Sequence, residues 1–168
     1  KKIEEIISKE KTFIGINNNY KIDTSNITYS RNKNILKTGD ETVLTDNFTN
    51  KIETEGFVYF VAQKEFKSNN LIITDKHLNK YFSNETIIDL KRNEILAKDV
   101  QVYFSKNSDF GEDARIKGNS MISNNNSTII KKGIFTTCKK NDSCPAWTLQ
   151  SEEIEHDKKK KIITYKKA

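Results

Sequence analysis

Apolar and β-branched residues fall in short stretches separated by polar clusters. The stretches are Thr42–Leu44, Phe57–Val61, Leu71–Thr74, Thr86–Leu90, Ile95–Phe104, Arg115–Ile122 and Thr128–Thr137. Each is about strand length. Asn-rich clusters separate them at Asn17–Asn19, Asn32–Asn34, Asn69–Asn70 and Asn124–Asn126. Asn tolerates left-handed backbone and makes local side-chain turns, so these clusters read as turns. Strands with turn signals at short intervals predict an all-β sandwich, barrel or roll. Alternation is clearest over Ile95–Phe104. Period two puts Leu96, Val100, Val102 and Phe104 on an inward face, with Lys98 the exception, and Ala97, Asp99, Gln101 and Tyr103 toward water. Phe57–Val61 is apolar on both faces, as in a strand covered on two sides or one that meets a partner.

The pattern repeats. With Ile22 set against Leu149, Ile27 meets Ile154, Ile35 meets Ile162 and Leu36 meets Ile163. Val43, Phe48 and Ile52 give a shorter copy, and Ile95, Val100 and Val102 a partial one. Ile35-x-x-x-Gly39, Ile52-x-x-x-Gly56 and Ile129-x-x-x-Gly133 share their punctuation. Each unit reads as a strand, a polar turn and a second strand that closes on glycine, where a bulge or bend needs no side chain. Recurring units of this size point to a stacked or coiled array. Residues 1–12 read as an N-terminal arm or linker, with Ile3, Ile6 and Ile7 at helical spacing. Residues 13–168 read as one domain. Ser105–Asp113 is the most loop-like interruption.

Composition narrows the class. Only 35% of the 168 residues are apolar and the mean hydropathy is −0.74, as expected of a sheet with one wet face. Charged residues reach 31% with both signs interspersed, and aromatic and β-branched residues are too frequent for disorder. The net charge of +6 suggests anionic partners such as phosphates. The densest basic run, Lys158–Lys161, falls on a turn in the internal alignment and reads as solvated. No apolar run is long enough for a membrane helix. The first residue is Lys and no signal peptide precedes it, so a mature or trimmed segment is expected.

Candidate chemistry is sparse. Cys138 and Cys144 flank a turn-forming insert, so a local disulfide is sterically possible and suggests an oxidising compartment. A zinc site completed by His77 and His156 is the rival, but the spacings do not fit one. His156 aligns with Tyr29 and reads as a strand side chain. No nucleophile elbow or triad context is present, and no glycine-rich phosphate loop. The carboxylate pairs Glu4–Glu5, Glu112–Asp113 and Glu152–Glu153 lie on charged segments without the apolar surroundings of an acid–base site. The residues therefore call for no enzyme, cofactor or metal. Nucleic-acid binding is a weak alternative, because the lysines are dispersed and no recognition motif occurs.

The closing stretch carries a denser signal. Phe135-Thr136-Thr137-Cys138, Cys144-Pro145-Ala146-Trp147, Leu149-Gln150-Ser151, Ile154-Glu155-His156-Asp157 and Ile162-Ile163-Thr164-Tyr165 stand in order. This run resembles the periplasmic N-terminal, OstA-like domain of the LptD (organic solvent tolerance) family of lipopolysaccharide-assembly outer-membrane proteins. Ile22–Gly56 and Glu85–Cys138 resemble it more loosely. The resemblance implies a V-shaped β-jellyroll, or β-taco, of stacked antiparallel strands around an apolar lumen. It implies a non-catalytic conduit at the periplasmic face of the outer membrane. Lipopolysaccharide would arrive from a bridge protein of the same fold, joined by strand addition at an N-terminal edge. It would pass toward an outer-membrane barrel and its plug lipoprotein. Lumen candidates on this reading are Leu96, Val100, Val102, Phe104, Ile116, Phe135, Trp147 and Ile154, lining a trough open at both ends. The resemblance also implies disulfides to the barrel, so Cys138 and Cys144 have two pairings open to them. A stand-alone transport component of the same fold and an all-β carbohydrate-binding domain are the alternative readings.

Overall fold

The computed structural model describes residues 4–16, 19–47, 50–108, 110–111, 113–139 and 146–168. The strands are β1 (Glu5–Ser8), β2 (Thr12–Ile16), β3 (Tyr20–Thr24), β4 (Ile27–Ser30), β5 (Ile35–Asp46), β6 (Lys51–Phe60) and β7 (Glu65–Thr74). They continue as β8 (Lys80–Asp89), β9 (Glu94–Tyr103), β10 (Arg115–Ser123), β11 (Ser127–Thr136), β12 (Leu149–Asp157) and β13 (Ile162–Lys166). No helix occurs among the described residues. All 13 strands belong to one antiparallel sheet that is not closed into a barrel, with β5 to β13 paired in sequence order. β4 and β3 both pair with β5, β1 extends β4, and β2 extends β3. The chain is all-β, as its alternation predicts, and consistent with a β-jellyroll.

In β7, β8, β9, β11 and β12 the alternation breaks once, at one level. In β7 Phe66 and Ser68 are buried, Asn69 and Asn70 both face water, and Leu71 and Ile73 are buried again. The same double step separates Ser83 from Thr86 in β8, Ala97 from Val100 in β9, Ile130 from Gly133 in β11, and Ser151 from Ile154 in β12. An extra residue of this kind bends a strand. In β6, β7, β9 and β11 a left-handed residue supplies it: Gly56 (φ 88°), Asn70 (φ 51°), Asp99 (φ 51°) and Lys132 (φ 48°). Asn69, Glu85, Lys98, Ser120, Lys131, Glu153 and Lys166 are partners in successive strands, so the bends form one line. The sheet folds along that line into two walls, and each long strand contributes an arm to both.

The line is stabilised on both sides. Outside, Lys98 pairs with Glu85 at 2.7 Å, and Glu153 accepts hydrogen bonds from both Lys131 and Lys166. Inside, Thr24, Thr42, Thr54, Ser68, Ser83 and Thr86 are buried. Bulges free carbonyls from the ladder, and a buried carbonyl needs a donor. Ser68 Oγ donates to Gly56 O at 2.7 Å and Thr54 Oγ1 to Asn69 O at 3.0 Å. Toward the C-terminus glycine takes the inner positions. A Cβ on Gly133 would collide with Ile154 Cδ1, and one on Gly118 with Ile130 Cγ2. The isoleucines lie in the space the glycines leave.

The Glu153 cluster has a pH signature. Hydrogen bonds from Lys131 and then Lys166 push its carboxyl from the ordinary 4.5 down to about 2. A depressed folded-state value stabilises fully above the unfolded value, and the effect disappears as pH falls through the folded one. Stability is therefore expected to decline between about pH 4.5 and 2. Glu153→Gln should flatten that part of a thermal-midpoint profile while leaving other carboxylate contributions in place.

Several sequence expectations change. The shared glycines Gly39 and Gly56 lie inside β5 and β6, so they mark bends rather than strand ends. Asn69–Asn70 is likewise a bend within β7, not a turn between strands. Glu5–Ser8, inside the stretch read as an arm, pairs with β4, and its isoleucines Ile6 and Ile7 are exposed in a strand rather than spaced along a helix.

Candidate functional site

The inner face of the folded sheet is the candidate site. Val100, Val102, Phe104, Ile116, Phe135 and Ile154 are all buried there, none more than 8% exposed. Val100, Val102, Ile116 and Phe135 stand on the first wall, on the side of the line where β7 and β8 join through turn 75–79, and Phe104 follows β9 there. Ile154 stands on the second wall, which ends in turns 61–64, 90–93, 124–126 and 158–161. Only about 10 Å³ of space remains among Tyr81, Val102, Phe104, Ile116, Ile130 and Ile154, room for at most one water. The expected trough open at both ends is therefore a packed core over this stretch. At its C-terminal end Phe135 meets Tyr165 from the opposite wall at 6.0 Å between ring centroids.

Two lumen candidates lie elsewhere. Leu96 faces outward, 38% exposed, while Ala97, expected toward water, is buried. The bend at Lys98–Asp99 is the reason. Left-handed Asp99 inserts the extra step, so the parity that makes Val100 inward makes Leu96 outward. Trp147 is 45% exposed before the start of β12, with its ring edge-on to Phe135 at 5.9 Å. Its carbonyl accepts from Thr136 Oγ1 at 2.8 Å and from Cys138 Sγ at 3.6 Å. Cys144 lies outside the described residues, and the Cys138–Cys144 pairing with it.

The open space is at the mouth, where the two walls' turns face each other. A cleft of about 480 Å³ lies between Asp75, Asn79 and Phe110 on one rim and Ser123, His156 and Lys158 on the other, floored by Ile73, Tyr81, Ile95 and Phe104. Among the described residues, contacts that bridge the mouth include the hydrogen bond that Tyr20 Oη donates to Asn93 Oδ1 at 3.2 Å. Phe110 leans from its loop between Phe104, at 4.8 Å, and the edge-on ring of His156, at 5.7 Å.

Asp75 and Lys158 give the mouth its electrostatics. The Asp75 carboxylate accepts from His77 N at 2.8 Å, Asn79 N at 2.9 Å, Asn79 Nδ2 at 2.9 Å and Tyr81 Oη at 3.3 Å. Burial, and then the charge of Asp75, raise the Tyr81 phenol's pKa. Lys158 Nζ donates to Ser123 Oγ at 3.0 Å and Asn124 O at 2.6 Å. Burial lowers its pKa, and Asp75 partly offsets that. The basic turn expected to be fully solvated thus turns one of its lysines into the cleft.

Sequence reasoning missed Ile73, Tyr81, Ile95, Phe110 and Lys158 as one set. They come from five separate elements, and their convergence depends on the folding of the sheet. Outside the first wall, Leu78, Lys80, Phe82, Tyr103 and Lys106 line a shallow depression. Phe82 and Tyr103 meet there edge to face at 90°. Compared with known proteins, the chain matches no family model, and no curated protein matches it.

Proposed function

We propose that this protein is a non-catalytic lipid-holding module. In this reading its folded sheet receives the acyl chains of lipopolysaccharide from a periplasmic bridge of the same fold. It then passes them toward an outer-membrane barrel and its plug lipoprotein. The observation that carries the reading is the mouth cleft, whose apolar floor of Ile73, Tyr81, Ile95 and Phe104 leads onto the buried inner face. The resemblance of the C-terminal motifs adds to it.

Size sets a condition. A volume of about 480 Å³ is that of a small-ligand site, roughly 300–1,000 Å³, so a multi-chain lipid requires the rims to part. The bridging contacts are weak enough to allow this. A hydrogen bond is worth about 1 kcal/mol net, and an edge-to-face ring pair about 0.5–1.5 kcal/mol. Each buried methylene returns about 0.8 kcal/mol, so a few carbons of acyl chain outweigh either of these contacts. Nonspecific apolar contact also lets a carrier release its cargo, where fixed hydrogen bonds would hold it.

The test is a clamp. In a Cys138→Ser/Cys144→Ser background, Tyr20→Cys and Asn93→Cys are joined by a short bismaleimide. Uptake of a fluorescent acyl probe should fall at least tenfold on bridging and persist in the unbridged variant. Unchanged uptake after complete bridging would remove the mouth as the entry route.

A further inference from the structure

We propose that the mouth cleft contains a phosphate subsite centred on the Lys158 ammonium, which takes the anionic head of an amphiphile whose hydrocarbon lies on Phe104 and Ile95. This rests on the lipid-holding reading and adds a headgroup class and a residue to it. An ammonium has three N–H donors. Two of them meet neutral acceptors, Ser123 Oγ and Asn124 O. No ion pair reaches Lys158 among the described residues, although its side chain is partly withdrawn from water. A cation so placed gains from an anion brought to it. Asp75, whose charge acts on Lys158 across the cleft, makes no ion pair with it and holds four donors from its own rim.

The surroundings favour phosphate over carboxylate. Lys159 lines the same cleft from the Lys158 turn, and Lys76 lines it from the opposite rim. A phosphate monoester carries about −1.5 to −2 charge and three strong acceptor oxygens, enough to meet cations from both sides. A carboxylate offers one charge and two oxygens. Lysines bind phosphate as point charges and do not need the planar geometry of arginine. The apolar floor beneath them would seat a hydrocarbon tail, which inorganic phosphate lacks.

Binding of dodecyl phosphate, dodecyl maltoside and inorganic phosphate to the wild-type protein, measured by calorimetry, tests the proposal. Dodecyl phosphate should bind at least tenfold more tightly than the maltoside. Inorganic phosphate should compete only at concentrations about a hundredfold higher. Lys158→Gln should reduce the phosphate-over-maltoside preference about tenfold, and Lys158→Arg should retain most of it. Thermal unfolding of both variants checks that the fold is kept. Equal preference in wild type and Lys158→Gln would overturn the subsite while leaving the lipid reading intact. Competition by inorganic phosphate as strong as by dodecyl phosphate would overturn the amphiphile assignment. Failure of both amphiphiles to bind wild type would remove the lipid reading itself.

Discussion

Phe66→Ala is expected to destabilise the protein by about 3–5 kcal/mol, the range for deleting a buried phenyl group. Phe66 is 0% exposed. It stacks on Phe57 with centroids 4.7 Å apart and planes at 22°. It also pairs with Tyr59 on one side and Ile88 on the other. Three adjacent strands thus close on one ring in the second wall, and a rigid sheet cannot collapse into the space its loss would leave. Since domains have about 5–15 kcal/mol of total stability, a change of this size should shift the urea midpoint strongly with little change in slope. Leu96→Ala is the matched control. Its outward position predicts a loss of about 1 kcal/mol or less. A Phe66→Ala loss as small as the control's would mean that the inner face is not a packed core.

Gly56→Ala is expected to cost about 3 kcal/mol. Two effects combine. The residue sits at φ 88°, where a side chain is strained whatever the space, at a typical penalty of about 1–3 kcal/mol. A Cβ there would also lie 2.8 Å from the backbone oxygen of Thr38 in the neighbouring strand. A backbone oxygen in a paired strand has no rotamer by which to move away. Gly39→Ala is the informative comparison, because the two glycines end the same Ile-x-x-x-Gly motif. A Cβ on Gly39 meets nothing within 4 Å, so its substitution should change stability by about 1 kcal/mol or less. Equal losses at both positions in chemical denaturation would contradict the account of the bend.

These two glycines show how far the sequence could be read. Of the positions set against each other in the repeat, Ile27 and Ile154 are both buried, but Ile22 and Ile27 stand on two strands, β3 and β4, while Leu149 and Ile154 share β12. Strand positions were legible because alternation survives on either side of each bend. The bends were not, because they occur inside strands and use residues that usually signal turns. Asn69–Asn70 is the clear example: two adjacent asparagines mark a fold line within β7 rather than a boundary. The missed signal was the recurrence of two adjacent polar residues at mid-strand, as in Asn84–Glu85, Lys98–Asp99, Asn119–Ser120, Lys131–Lys132 and Glu152–Glu153. Reading across one such pair with unbroken period two placed Val100 correctly and Leu96 on the wrong face. The mouth was illegible for a different reason. Phe110 and Lys158 sit in a loop and a turn, and only the three-dimensional fold makes them neighbours of Tyr81 and Ile95.

Site-specific photo-crosslinking to lipopolysaccharide, from one probe residue at a time, tests the central claim most directly. Probes replacing Ile95 and Phe104 on the cleft floor should capture the lipid through its acyl chains. Probes replacing Leu96, across the second wall, and Phe82, on the outside of the first, should capture little. Capture as strong from Leu96 as from Phe104, or none from Ile95 and Phe104, would contradict an inner face that holds lipid.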